Sequence, residues 1–232
     1  FCLSRGLGDV YKRQALGLRV VYEERRGLSN ARNRAIDEAT GDYICWTDDD
    51  VLVSPDWLVA YAAAMQAEPG AAVFGGPVRP WFPESPAEWL RRGIAHVAPA
   101  YAIVDHGTTA VALTRTLTPF GANMAFRTDV QRAHRYDPTL GRSPDSMLSG
   151  EETAVVRAIL DAGGTGRWVP GATVRHYIPP ERQTRDYLLR YYEAHGELVA
   201  ITEDRHRGRR WFGRAGYLVR LAAAMPILGD RH

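Results

Sequence analysis

Apolar residues recur along this chain with two periods, and the switches between them predict where strands and helices fall. Leu18-Arg19-Val20-Val21-Tyr22 has the branched and aromatic content of a short strand. A turn at Arg25-Arg26-Gly27 leads into a helix over Ser29–Ala39, where Ala31, Ala35 and Ala39 stand one helical turn apart and Gly41 ends the run. From Asp42 to Thr47 the chain is nearly all apolar, as a strand buried on both faces of a parallel sheet requires. Ser54-Pro55 opens the next helix with a capping hydroxyl and a proline in the first turn, and Trp57, Leu58, Tyr61, Ala62 and Met65 form its apolar face. Ala71–Gly76 reads as another strand.

Strand, helix, strand, helix, strand predicts an α/β fold with a mostly parallel sheet flanked by helices. From Arg79 to Thr118 the periods fade; Trp81, Phe82 and Trp89 among prolines predict a loop and a short helix over the mouth of the fold. Phe120–Arg127 reads as a turn feeding a strand. A helix follows from Ser149 to about Ala162, with Val155, Val156, Ile159 and Leu160 inward. Short strands at Trp168-Val169-Pro170 and Ala172–His176 precede a last helix over Thr184–Ala200.

Composition narrows the classes. At 232 residues, 45% of them hydrophobic, the chain suffices for one domain, placed at residues 15–200. A net charge of +2 is too small to call for a nucleic-acid partner. Cys2 and Cys45 make neither a disulfide framework nor a zinc site, which favours a reducing, cytoplasmic setting. No segment reads as a signal peptide, and no apolar run approaches the length of a membrane span. Lys12 is the single lysine among 29 basic residues and lies in an aperiodic stretch, so residues 1–14 are expected to be a non-native tail. Residues 201–232 are basic and amphipathic: arginines from Arg205 to Arg220 alternate with Trp211, Phe212, Tyr217, Leu218 and Leu221. That pattern suits peripheral contact of residues 205–221 with an anionic surface at the inner face of a membrane, or a solvated linker.

The candidate chemistry lies at Asp48-Asp49-Asp50, directly after the apolar Asp42–Thr47 strand. Three adjacent carboxylates there are costly unless something positive binds them. Alternate side chains of an extended segment share a face, so Asp48 and Asp50 point together while Asp49 points away. Hard oxygen ligands of this kind suit Mg2+ or Mn2+, with phosphate oxygens and water completing the octahedron. The competing reading is a helix-capping or solvated turn. An aspartyl phosphatase would want Asp-x-Asp-x-Thr, and Leu52 stands where that threonine belongs.

Several blocks then align in order. Gly27-Leu28-Ser29-Asn30-Ala31-Arg32-Asn33, Ala39-Thr40-Gly41-Asp42-Tyr43-Ile44, Asp48-Asp49-Asp50, Gly75-Gly76-Pro77-Val78, Gly121–Arg127 and Gly150-Glu151-Glu152 together resemble the inverting glycosyltransferases of family 2, over about residues 18–200. The resemblance implies an A-type glycosyltransferase fold, a nucleotide-sugar donor, and a glycan or lipid-linked acceptor. It implies that Asp48 and Asp50 hold a divalent cation against the donor diphosphate, with Asp49 beside them and Arg32 near the nucleotide. His176 matches a position that completes the metal or diphosphate site in some relatives. Gly121 and Asn123 match the acceptor side, and Trp81 and Trp89 are candidates to stack on sugar rings.

The family's general base is the acid of a Glu-Asp pair at a helix start. Here the pair reads Glu151-Glu152, so Glu152 takes that role and Glu151 stands in reserve, although Ser149-x-x-Glu152 is also a capping box. The strands with which family members begin have no match in residues 1–20, so an incomplete donor site and an inactive chain are expected. Two rivals remain: a nucleotidyltransferase on a related fold, for which no Gly-rich phosphate loop is visible, and a non-catalytic nucleotide- or carbohydrate-binding relative.

Overall fold

The computed structural model describes residues 19–142 and 149–207. Helix α1 spans Leu28–Glu38 and starts at Gly27, whose φ of 110° is open to glycine at little cost. Its buried face is polar as well as apolar. Ser29 Oγ donates to the Leu140 carbonyl, and Asn33 both donates to the Tyr136 carbonyl and accepts from the Tyr136 amide, so α1 fastens the segment 136–140 alongside itself.

Strand β1 (Tyr43–Trp46) follows, then β2 (Val51–Val53), α2 (Trp57–Ala67), β3 (Val73–Gly75), β4 (Val78–Trp81), α3 (Glu88–Gly93) and a 3-10 turn at Ala98–Tyr101. The second half comprises β5 (Met124–Arg127), α4 (Thr128–Ala133), α5 (Glu151–Asp161), β6 (Gly166–Trp168), β7 (Val174–Tyr177), a 3-10 turn at Pro180–Arg182 and α6 (Arg185–Arg207). One sheet has the order β1-β5-β3-β6 and a second has the order β2-β7-β4.

The α/β class is as expected, with one refinement of the sheet. β5 pairs antiparallel with both β1 and β3, while β3 pairs parallel with β6. Three strands of the larger sheet therefore run one way, and the reversed β5, inserted between two of them, makes the hydrogen-bonding mixed rather than mostly parallel. β1 is an edge strand among the described residues, with Ile44 and Trp46 buried and Tyr43 and Cys45 only half-buried. The smaller sheet pairs β2 antiparallel and β4 parallel to β7.

Several boundaries differ from expectation. Residues 19–24 form no strand, and Val20 and Tyr22 are exposed, because no described strand lies beside them to take their backbone groups. β2 and β4 each hold three or four residues, too few to show a period, and emerge only through pairing with β7. α2 begins at Trp57 rather than at Ser54, whose amide is taken by the Thr173 carbonyl. α6 continues past Ala200 to Arg207. The expected tail at residues 1–14 and the basic residues 208–221 lie outside the described residues.

The main core joins α1, α2, α5 and the larger sheet around Phe74, Met124, Phe126, Val156 and Trp168. A second cluster, Leu90, Tyr101, Ile178, Tyr187, Leu188 and Tyr191, packs α6 against the two 3-10 turns and α3. The site lies between the two.

Candidate active site

The three aspartates form the bridge from β1 of the larger sheet to β2 of the smaller one. Asp49 is exposed, whereas Asp48 and Asp50 are half-buried, the alternation expected of an extended segment. Their ion-pair partners differ. Asp50 is carried by the β2–β7 ladder, which sets Val51 opposite His176 and brings the Tyr177 amide onto the Asp50 carbonyl at 2.8 Å. Its carboxylate Oδ2 lies 3.4 Å from His176 Nε2 and 3.4 Å from Arg182 Nη1. Burial tends to raise the Asp50 pKa, but the hydrogen bond and charge of His176 and the Arg182 guanidinium outweigh it and hold the carboxyl below the usual range. Asp48 turns instead toward Arg32 Nη2, at 3.5 Å, and burial pushes its pKa up.

His176 is buried on β7, with Nδ1 2.7 Å from the Tyr101 carbonyl. A carbonyl only accepts, so Nδ1 carries a hydrogen toward Tyr101, and Nε2 is the ring nitrogen turned to Asp50. A proton on Nε2 donates to the Asp50 carboxylate, and a cation between Nε2 and Oδ2 would satisfy the same two atoms.

The start of α5 lines the same cavity. Gly150, at φ 96°, is its N-cap, and no side chain caps the helix. The capping-box reading of Ser149 and Glu152 is thereby removed, because the N-cap is Gly150 and the helix begins one residue later than that box needs. Glu151 is buried and accepts from Arg32 Nη1 at 2.8 Å. Burial, reinforced by the neighbouring Glu152 charge, pushes the Glu151 pKa up to about 7 against the opposing charge of Arg32. Glu151 and Glu152 each hold one carboxylate oxygen, Oε2, buried without a hydrogen-bond partner among the described residues.

One cavity of about 1500 Å3 is lined by Asp48, Asp49, Asp50, His176, Arg182 and the Glu151–Glu152 pair, together with Arg32 and Gly121. Carboxylates for a cation and the Glu151–Glu152 pair thus open on one space, which is large enough for a nucleotide and a sugar acceptor together.

Residues 6–130, more than half of the chain, match the family model described as Glycosyl transferase family 2. The chain belongs to glycosyl transferase family 2. It is 31% identical over 180 residues to the succinoglycan biosynthesis protein ExoM of Rhizobium meliloti (strain 1021), a match covering 75% of this chain and 53% of that protein. It is 26% identical over 181 residues to the glucosyl-dolichyl phosphate glucuronosyltransferase of Haloferax volcanii, covering 72% of this chain and 53% of that protein. The chain spans about half the length of these curated relatives. Among solved structures it is similar in fold to a mannosyltransferase from Pyrobaculum calidifontis in complex with GDP-Man and Mn2+, with a TM-score of 0.55, 18% identity, and coverage of 96% of this chain and 63% of that one.

The family motifs can now be set against the geometry. Asn123, expected on the acceptor side, is 0% exposed; its Oδ1 accepts from Trp57 Nε1 and Tyr61 OH, each at 2.8 Å, and its Nδ2 donates to the Pro77 and Ala172 carbonyls. Every hydrogen-bonding position of that amide is filled from within the protein, so it has none left for a sugar. Trp81 also leaves the acceptor list: it lies outside the cavity, packed edge-on to Tyr177 and under the Arg175 guanidinium. Trp89 packs with the second core cluster, beneath the Arg185 guanidinium. Gly121 stays at the site, as the residue whose missing side chain makes room for Arg32.

Asp48, Asp50 and His176 do not form a closed cage, for among the described residues no three His, Cys, Asp or Glu side chains are gathered around a point. Asp48 is the member drawn away, by Arg32. Arg182, Arg142 and Tyr191, which also line the cavity, carried no readable sequence signal, since no motif or period marks them.

Proposed function

We propose that this family 2 chain transfers a sugar from a nucleotide-sugar donor to an acceptor hydroxyl, with inversion at the anomeric carbon and with a divalent cation. The observation carrying the reading is the common cavity, lined by Asp50, His176 and Arg182 and by Glu151 and Glu152. Asp50 and His176 are the residues to hold the cation. A Mg2+ or Mn2+ site of this class uses one or two protein ligands and fills its remaining positions with phosphate oxygens and water, so an open pair fits it better than a closed cage does. When bound, such an ion neutralises charge on the leaving diphosphate. Arg182, beside Asp50, adds a fixed positive charge to the same site.

Glu152 acts as general base. Glu151 already accepts from Arg32, whereas Glu152 has no hydrogen bond from Arg32 and faces the cavity. The acceptor oxygen forms its bond to the anomeric carbon as the bond from that carbon to the diphosphate oxygen breaks. The hydroxyl proton passes to Glu152 and the electron pair leaves on the diphosphate. Attack comes from the face opposite the leaving group, which inverts the centre. Acceptors of glycan or lipid-linked class suit the volume of the cavity. The basic segment 205–221 gives a cytoplasmic enzyme a means of lying on an anionic membrane, although no helix of the described residues is long and apolar enough to cross one.

Turnover of a panel of uridine and guanosine diphosphate sugars with Mn2+ tests this reading. Glu152→Gln is expected to lower kcat by about 10²–10⁴-fold while nucleoside diphosphate binding by calorimetry stays within a few fold. Full activity in that variant, or retention of configuration in the product, overturns the assignment.

A further inference from the structure

Arg32 was expected beside the donor nucleotide, but its guanidinium is enclosed. Its side chain is 5% exposed and that of its partner Glu151 is 4%. Nη1 donates to Glu151 Oε1 at 2.8 Å, Nη2 reaches Asp48 Oδ1 at 3.5 Å, and the group lies 5.4 Å over the Tyr136 ring. Two glycines clear the space. A Cβ on Gly121 would overlap Nη2, and a Cβ on Gly141, held at φ 96°, would come within 2.9 Å of Ser29 Oγ and 3.3 Å of Glu151 Cδ.

Buried ion pairs contribute little net stability, because desolvation cancels most of the attraction. The planar fork of arginine offers something else: it fixes two carboxylates at once, in a way a lysine ammonium does not. Here the fork spans Asp48 and the acid pair.

We infer that Arg32 is the positioning residue of the acid pair, anchoring Glu151 through Nη1 so that Glu152 is left free of Arg32 to take the acceptor proton, while Nη2 ties the same guanidinium to Asp48. The inference rests on the transferase reading above. The charged and titratable groups around Glu151 are Arg32 from α1, Glu152 on its own helix, Arg142 from the segment ahead of that helix, and the Tyr136 hydroxyl. Arg32 is the one of these that hydrogen-bonds to Glu151 as a cation. Its removal leaves two adjacent carboxylates competing for one proton.

The test uses the full chain with Arg32→Gln, Arg32→Lys, Gly121→Ala, Glu151→Gln and the Arg32→Gln/Glu151→Gln double variant. Arg32→Gln is expected to lower kcat about 10–100-fold with donor KM nearly unchanged, and to move the acid limb of the pH–rate profile upward by about one unit. Arg32→Lys returns the limb toward its original position but recovers kcat only in part. Gly121→Ala, which keeps every charge, lowers kcat by displacing the fork. The double variant is no slower than the slower single variant. Multiplying effects in the double variant, or an unmoved limb in an Arg32→Gln protein that still melts cooperatively, overturns the inference.

Carbon-13 NMR titration of the glutamate carboxyls reads the same coupling without turnover. An Arg32-dependent Glu151 titration in a chain that transfers no sugar sinks the transferase reading alone. A Glu151 titration indifferent to Arg32→Gln sinks this inference alone.

Discussion

His176 is held from one side and presented from the other: Nδ1 donates to the Tyr101 carbonyl at 2.7 Å, and Nε2 faces Asp50 Oδ2 at 3.4 Å. The carbonyl fixes the tautomer and ring plane, as an outer partner does for many metal-binding histidines. His176→Ala and Asp50→Asn are each expected to weaken Mn2+ binding about 10–100-fold in the presence of uridine diphosphate, read by electron paramagnetic resonance of free Mn2+. Asp49→Asn, at the exposed member of the triad, changes it by less than about threefold. Equal effects at all three positions contradict the geometry.

The acid pair sets a pH dependence for activity. Glu151 stands beside the base Glu152, and burial together with the Glu152 charge pushes the Glu151 pKa up to about 7, so ionisation of Glu151 changes the charge next to the base across neutral pH. Initial-rate kcat/KM therefore rises with pH and levels off above about 7, in place of the plateau beginning near 5 that an ordinary carboxylate gives. A profile flat from pH 5 upward shows that the pair carries no proton of consequence.

Much of this arrangement was legible in the sequence, and the parts that were not share a cause. Asp48 and Asp50 stood out because carboxylates next to an apolar strand need an explanation on local grounds alone, whereas Glu151 and Glu152 were marked only by the family resemblance of Gly150-Glu151-Glu152. Helices α1, α2 and α5 announced themselves by period, and the apolar run of β1 by composition. Asn123 was misread because its four partners lie 46 to 66 residues away in sequence, at Trp57, Tyr61, Pro77 and Ala172. Nothing beside Asn123 distinguishes an amide that clamps a core from one that greets a sugar. The Arg32–Glu151 ion pair was not legible either, because the two residues are 119 positions apart. β2 and β4 are shorter than any period can register and exist through their ladders to β7.

Stability carries the mark of Glu151 as well. Its pKa is raised in the folded protein, so between about 4.5 and 7 the native state binds more protons than the unfolded chain does. Stabilisation from its protonated form is fully present below the unfolded value and is lost as pH rises through the folded one. The loss is on the order of 2–3 kcal/mol across that window. Urea midpoints at pH 5 and pH 8 measure it, and in Glu151→Gln the fall between them is expected to shrink by most of that amount. An unchanged fall places the titrating group elsewhere.

Asn123 separates fold from function. Asn123→Ala leaves Trp57 Nε1, Tyr61 OH and the Pro77 and Ala172 carbonyls without their partner in a site closed to water. Each buried group left unpaired costs about 1–3 kcal/mol, so a loss of roughly 4 kcal/mol or more is expected, beyond the usual range for a point substitution. Gly76→Ala damages the same knot, since a Cβ there meets the Ala172 carbonyl and Asn123 Nδ2. Trp81→Ala, by contrast, gives up an edge-to-face contact with Tyr177 worth about 1 kcal/mol in addition to its partly exposed surface. Thermal melts rank the three, and acceptor KM on the folded fraction distinguishes their roles. It should stay unchanged in all of them, and a tenfold rise in Asn123→Ala or Trp81→Ala returns that residue to the acceptor site.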